Sequence, residues 1–227
     1  MPLSKPSKGT CSFCGTEITS SDATKHLTVC SKRKSAITTA QTKGNKSELL
    51  FHLRIQDEWR NEFWLDLEMR GSSSLKTLDS YLRAIWLECC GHMSEFSFGR
   101  SHSGKVSMSK KAQDVLSRGT KLTHIYDFGT SSHAVIKVVG IRTGAVLGKH
   151  PIVLMARNSM PEVCCVQCEK PGIWLCMECV IEKDLWGTLC DSHSKSHPHD
   201  NYGGPIRVVN SPRLGMCGYC GPANPPY

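Results

Sequence analysis

The stretch ELLFHLRIQDEWRNEFWLDLEMR, residues 48 to 70, decides the fold. Leu49, Phe51, Leu53 and Ile55 alternate with Leu50, His52, Arg54 and Gln56. After a polar turn, Phe63, Leu65, Leu67 and Met69 alternate with Trp64, Asp66, Glu68 and Arg70. A period of two with turn residues between predicts two half-buried antiparallel strands. Gly71 ends the second, and Ser74 is placed to cap a helix in which Leu75, Leu78, Leu82, Ile85 and Cys89 recur at helical spacing. Further on, a short strand is expected from Glu95 to Phe98 and a basic helical turn in KKAQDVLSRG, residues 110 to 119. KLTHIYDFG from 121, HAVIKVVGI from 133 and PIVLMARN from 151 read as three more strands. A helix laid on a mostly antiparallel sheet makes residues 48 to 158 an α+β domain.

Working outward, the N-terminal flank carries CSFCGTEITSSDATKHLTVC, residues 11 to 30. Cys11 and Cys14 form a Cys-x-x-Cys knuckle closed by Gly15. Asp22 is placed to cap a helix on which His26 and Cys30, four apart, share one face. Four such ligands suit one tetrahedral Zn²⁺, over a small core of Phe13, Ile18 and Leu27. Residues 32 to 47, polar and basic, read as a linker. The C-terminal flank, 159 to 227, loses periodicity and is dense in Cys, His, Gly and Pro, so metal has to supply what a hydrophobic core cannot. Its candidate ligands are Cys165, Cys168, Cys176, Cys179, Cys190, His193, His197 and His199. A simple ribbon on the first four cysteines is the alternative to using all eight. Trp174, Leu175 and Trp186 are expected to pack between the metals. Cys217 and Cys220 form a last Cys-x-x-Cys, but GPANPPY after it cannot supply the helix a redox thiol needs.

The chain has 227 residues, 21% charged and 39% hydrophobic, as in an ordinary globular protein. No apolar run approaches a membrane span, and the first ten residues have no signal-peptide core, so a cytoplasmic location with no membrane partner is expected. Thirteen cysteines mixed with clustered histidines suit zinc better than a secreted disulfide framework. The net charge of +8 is concentrated at the front, where residues 1 to 46 hold eight Lys and Arg against two acids. Such an excess suits nucleic-acid phosphates, with Lys25, Lys32, Arg33 and Lys34 as the candidate contacts, or it is simply a solvated tether.

Three resemblances add to this. The first finger is similar to the Cys-Cys-His-Cys fingers of the ubiquitin-binding type found in some DNA-repair proteins, sharing their spacing, Gly15, Ile18 and the His26-Leu27 pair. Those fingers usually carry an acid between the His and the last Cys, where this chain has Thr28. The C-terminal order of pairs resembles the B-box type of cross-brace. That resemblance implies Cys165, Cys168, Cys190 and His193 around one ion and Cys176, Cys179, His197 and His199 around another, hence three zinc ions in all. FHLRIQ, LKTLDSYLRAIWLECCGHMSEFSF, IYDFGTSSHAVIKVVG and NSPRLGMCGYCG resemble the pRiA4b ORF-3-like domain, named after the third open reading frame of an Agrobacterium hairy-root plasmid. That likeness implies an α+β fold and no established activity. Many of its members read Tyr-Asp-Phe-Gly-Asp, where this chain has Thr130 after Gly129. Tyr126 and Phe128 are expected to face the core, with Asp127 holding the turn.

Three functions follow: nucleic-acid association through the basic front, docking of a protein partner on the zinc modules, or an enzyme. For the last only His52, His92, His124, Asp127 and His133 offer themselves, without a Ser-His-Asp, paired-carboxylate or open metal arrangement, so catalysis is not expected.

Overall fold

The computed structural model describes residues 7–87, 91–99, 104–183, 185–216 and 219–221. They fall into two compact units, one running to Tyr81 and from Met93 to Ser159, the other taking Leu82 to His92 and continuing from Met160.

In the first unit the chain forms β1 (Lys8–Cys11), β2 (Glu17–Thr19), α1 (Ala23–Val29) and α2 (Ser31–Thr42). Then come β3 (Ser47–Asp57), β4 (Trp64–Arg70) and α3 (Leu75–Leu82). After them follow β5 (Ser94–Ser97), β6 (Lys105–Val106), α4 (Ala112–Val115), β7 (Lys121–Tyr126), β8 (Ser132–Ala145) and β9 (Ile152–Asn158). Among the described residues they build one sheet of nine strands, ordered β2-β1-β9-β4-β3-β8-β7-β5-β6, with every pair antiparallel. The fold is α+β, as the alternation of residues 48 to 70 predicts.

Register assigns the two faces. Leu53 lies opposite Leu67 and Val138, and Ile55 opposite Leu65 and Ile136. Further out, Leu122 faces Ile136 and His124 faces Ala134, on that same apolar face. α3 lies against it, since its Asp79 accepts from Ser94 Oγ at 2.6 Å and sits 2.8 Å from His124 Nε2. At its start Thr77 N donates to Ser74 Oγ at 3.3 Å, the expected cap. The helical path continues as a π-helical turn, Arg83–Leu87, and the expected helix position Cys89 lies outside the described residues.

The opposite face departs from expectation. β4 is buried on both sides, with Asp66 fully buried and Glu68 at 3% exposure, where half-buried strands are predicted. Charges bear this burial only when paired, and both acids are. Asp66 takes Arg54 through Nη2 at 2.7 Å and His52 Nε2 at 2.6 Å. Glu68 takes Arg33 Nη2 at 2.9 Å and Arg142 Nε at 2.9 Å. The N-terminal segment supplies the cover, for Arg54 also donates to Ser20 O at 2.6 Å and Arg33 to Leu27 O at 3.1 Å. Residues 32 to 47, read as a linker from their composition, form most of α2 and the start of β3. Gly44 at φ +70 ends the helix, with its N–H on Gln41 O at 2.9 Å and Asn45 N on Ala40 O at 3.0 Å.

In the second unit a three-stranded sheet, ordered β11-β10-β12, joins β10 (Trp174–Leu175), β11 (Thr188–Leu189) and β12 (Ile206–Arg207). Two short helices, α5 (Met177–Glu182) and α6 (Asp191–Lys195), accompany it. The tail returns to the π-helical turn, where Ser211 Oγ donates to Trp86 O at 2.5 Å and Tyr219 Oη to Ile85 O.

Candidate metal centres

The first centre is held by the edge of the large sheet. β1 pairs with β2 and with β9, Gly9 lying opposite Ile18 and Asn158. A Cβ on Gly9 would stand 2.3 Å from Arg157 O and 2.5 Å from the Trp64 ring, so this approach requires glycine. Beyond β1 the knuckle turns: Gly15 N donates to Cys11 O at 2.9 Å with Gly15 at φ +73, and Ser12 N donates to Met155 O at 2.8 Å. α1 then presents His26, and Cys30 follows its last turn. Asp22 stands at the N-cap position without a side-chain cap bond; its carboxylate accepts from Thr19 Oγ1 at 2.6 Å instead. Ile18, Ala23 and Leu27 pack with Trp64, Met155 and Ala156 of the sheet, and Phe13 is only partly buried against them.

The ligand atoms of Cys11, Cys14, His26 and Cys30 all lie within 4.8 Å of one another. The same holds for Cys165, Cys168, Cys190 and His193, and for Cys176, Cys179, His197 and His199. The C-terminal eight are thus grouped in alternating pairs, not as a ribbon on the first four cysteines. Local structure places them. Cys165 N donates to Lys170 O at 2.9 Å in the first loop, while Cys176 caps α5 by accepting from Cys179 N at 3.4 Å. Cys190 precedes α6, which carries His193. Gly187, at φ +63, lets the chain pass Cys176 O where a Cβ would come within 2.7 Å.

These groups fit a tetrahedral ion. Metal–sulfur and metal–nitrogen bonds of about 2.3 and 2.0–2.1 Å put the edges of a tetrahedron at roughly 3.8 Å between sulfurs and 3.6 Å between sulfur and nitrogen. Cys168 and Cys190 sulfurs are 3.8 Å apart. Sulfur to nitrogen is 3.3 Å for Cys14 and His26, 3.3 Å for Cys165 and His193, 3.4 Å for Cys179 and His197, and 3.7 Å for Cys176 and His199. His26 and His197 turn Nε2 inward, whereas His193 and His199 turn Nδ1. Outward, His199 Nε2 stands 2.5 Å from Lys183 Nζ and 3.6 Å from Glu178 Oε1. The thiols are pulled apart electrostatically: hydrogen bonds from Thr16 hold Cys14 down to about 6, and burial pushes Cys11 and Cys179 up to about 11. A cation shared by each group stabilises all of its thiolates together. Four protein ligands per group leave no coordination place for water.

Other expectations fare differently. Trp174 is partly buried against the cysteines and Leu189, with its indole N–H on Asp191 Oδ1 at 3.3 Å and Arg207 over its ring. Leu175 is buried, but Trp186 is 64% exposed and does not fill the space between the groups. Cys220 is exposed and Cys217 lies outside the described residues. Of the basic candidates, Lys25, Lys32 and Lys34 are exposed. Arg33 is not available to phosphate, because Glu68 and Leu27 O hold its guanidinium against the sheet. The loose catalytic candidates do not converge: His52 and His124 point to opposite faces of the sheet, each tied to its own aspartate. His133 Nδ1 lies 3.5 Å from Glu58. Tyr126 is buried, yet Phe128 is 42% exposed, since Asp127 takes φ +64 and turns the chain out of the strand. The Asp127 carboxylate holds that turn by accepting from Gly129 N at 3.0 Å.

The three Cys/His groups, each able to hold a metal ion, are what sequence and structure have in common. Among the described residues no helix is long and apolar enough to cross a membrane. No family model and no curated protein matches the chain. Among solved structures, the chain is similar to a protein of unknown function from Methanosarcina mazei, at 18% identity and a TM-score of 0.42, over 48% of this chain and 69% of that one.

Proposed function

We propose that the protein is a three-zinc scaffold that associates with nucleic acid through its N-terminal segment. The observation that carries the metal half is the convergence of twelve Cys and His ligands into three four-ligand groups. Sulfur-rich tetrahedral groups select zinc over the harder divalent ions, and closed coordination gives the metal a structural role. Kinship with the plasmid ORF-3-like domain is part of the same reading, supported by the strand and helix order along residues 48 to 158.

The nucleic-acid half rests on the charge of residues 1 to 46 and on the exposure of Lys25, Lys32 and Lys34. Lysines act on phosphate as mobile point charges and give affinity without base recognition. Native mass spectrometry is expected to find three zinc ions per chain. Binding of random duplex and single-stranded nucleic acid is expected to fall steeply with salt; binding absent at low salt, or indifferent to salt, overturns this half. A docking role is the second reading, favoured by Ile181, Leu185 and Trp186, apolar and exposed beside α5.

A further inference from the structure

At the far end of α2 from Lys32 and Lys34 lies a groove of about 730 Å³, between the last turns of that helix and the turn that joins β8 to β9. The groove is lined from Ala36 onward, and Lys43 stands nine residues beyond Lys34, about 13 Å of helix rise, so its cations are further along the same helix than those of the finger. Lys43, Lys46, Arg70 and Lys149 line the groove, and none of the residues lining it is acidic. Glu48 stands beside it, 3.9 Å from both Lys46 Nζ and Arg70 Nε, and offsets part of that charge. Lys43 and Lys149 are exposed and have no ion-pair partner among the described residues.

The backbone walls of the groove are fixed. Val146 N donates to Lys46 O at 3.0 Å, Asn45 Nδ2 to Val146 O at 2.9 Å, and Arg70 N to Pro151 O at 3.0 Å, while the Arg70 guanidinium donates to Gly148 O. A helix C-terminus ordinarily repels anions. Here its carbonyls are already occupied, Thr39 O by Lys43 N, Ala40 O by Asn45 N and Gln41 O by Gly44 N, which blunts that repulsion.

We infer that this groove is a phosphate-binding track for a nucleic-acid strand, with Lys43, Lys46 and Lys149 as its contacts and Arg70 as its positively charged floor. The inference rests on the nucleic-acid reading above and extends its contact surface from the finger to the sheet. An open trough with fixed backbone and flexible cations suits a polymer passing through, read by charge and not by base.

The test uses the metal-loaded full chain, fluorescence anisotropy with labelled single-stranded and duplex oligonucleotides of random sequence, and a salt series. Lys43→Ala with Lys149→Ala is expected to weaken binding on the order of tenfold or more at low salt and to reduce the salt slope by about two. Lys25→Ala, Lys32→Ala and Lys34→Ala together measure the finger's share separately. Unchanged metal content and thermal melting show that each variant is folded. Wild-type binding that survives in the Lys43/Lys149 variant overturns the groove and leaves the nucleic-acid reading standing. No binding by the wild type overturns both. Displacement of the oligonucleotide by polyglutamate as readily as by polyphosphate overturns phosphate recognition and points to an acidic protein partner.

Discussion

Glu68→Gln tests whether the finger and the sheet are one energetic unit. Glu68 is 3% exposed and faces two guanidinium groups, Arg33 and Arg142, whose side chains are 13% and 22% exposed. Neutralising the carboxylate leaves both cations in a poorly hydrated place, and the new amide can present a donor to a donor. Breaking a buried pair by removing one partner costs about 3–5 kcal/mol, and this change breaks two, so a loss at or above about 3 kcal/mol is expected. Arg33→Met should cost less, about 1.5–3 kcal/mol, because Glu68 keeps Arg142 while one charge-assisted bond is lost. In the Arg33→Met background, Glu68→Gln should cost less than in the wild type, by about 1–2 kcal/mol of coupling. Urea unfolding of the metal-loaded chain, read by amide hydrogen exchange within β4, gives these values. A loss below about 1 kcal/mol for Glu68→Gln, the size of an exposed pair, would refute the reasoning. The same Arg33→Met variant should keep the wild-type salt slope in nucleic-acid binding, and a slope reduced by about one would return Arg33 to the phosphate contacts.

Cys168→Ser should lower the metal count from three to two in native mass spectra while the group of Cys176, Cys179, His197 and His199 keeps its ion; a drop to one would mean the two C-terminal centres are not separable. Gly9→Ala should destabilise the β1–β9 pairing by about 1–3 kcal/mol through its clash with Arg157 O, seen as faster exchange at Ala156 to Asn158; protection equal to wild type would contradict the close approach. Burial raises Asp57 to about 6, above its ordinary 3.8, although Trp59 N and Arg60 N donate to it. A raised carboxylate stabilises the fold fully below pH 3.8, and that contribution is lost as pH rises through about 6, up to about 3 kcal/mol in all. Asp57→Asn should remove this component from the stability–pH curve between those values, and curves that run parallel for variant and wild type would count against it.

The sheet centre was legible because residues 48 to 70 carry a clean period of two and one turn. What lay outside the pattern was set by tertiary contact. β1 and β2 are four and three residues long, one ending at the first ligand and the other inside the ligand run, so they show no period; pairing with each other and of β1 with β9 makes them strands. α2 has a single buried apolar residue, Ala40, so no amphipathic period marks it, and six of its twelve residues are Ser, Thr or Ile; its Gly44 stop and the pairing of Arg33 with Glu68 hold it in place. Polar residues at alternate positions of β4 read as solvent-facing, and their burial could be inferred only by matching Asp66 and Glu68 with arginines up to 74 residues away in sequence. The ligand groups were legible from spacing, because Cys-x-x-Cys knuckles and the helical His26-to-Cys30 interval are local. The lysine groove was not, since Lys43 and Lys149 are brought together only by the return of β8 onto β3.

The position of β1 on β9 has a further consequence. Without the hairpin, β9 would end the sheet, and its last residues, Met155 to Asn158, would lose the backbone partners that Gly9 to Ser12 give them. Such an edge is a template for pairing with another copy of the chain. The hairpin that shields it is anchored by the same knuckle that gathers Cys11 and Cys14. Loss of an ion held by that group would then do more than loosen a finger: it would uncap the end of β9 and favour self-association.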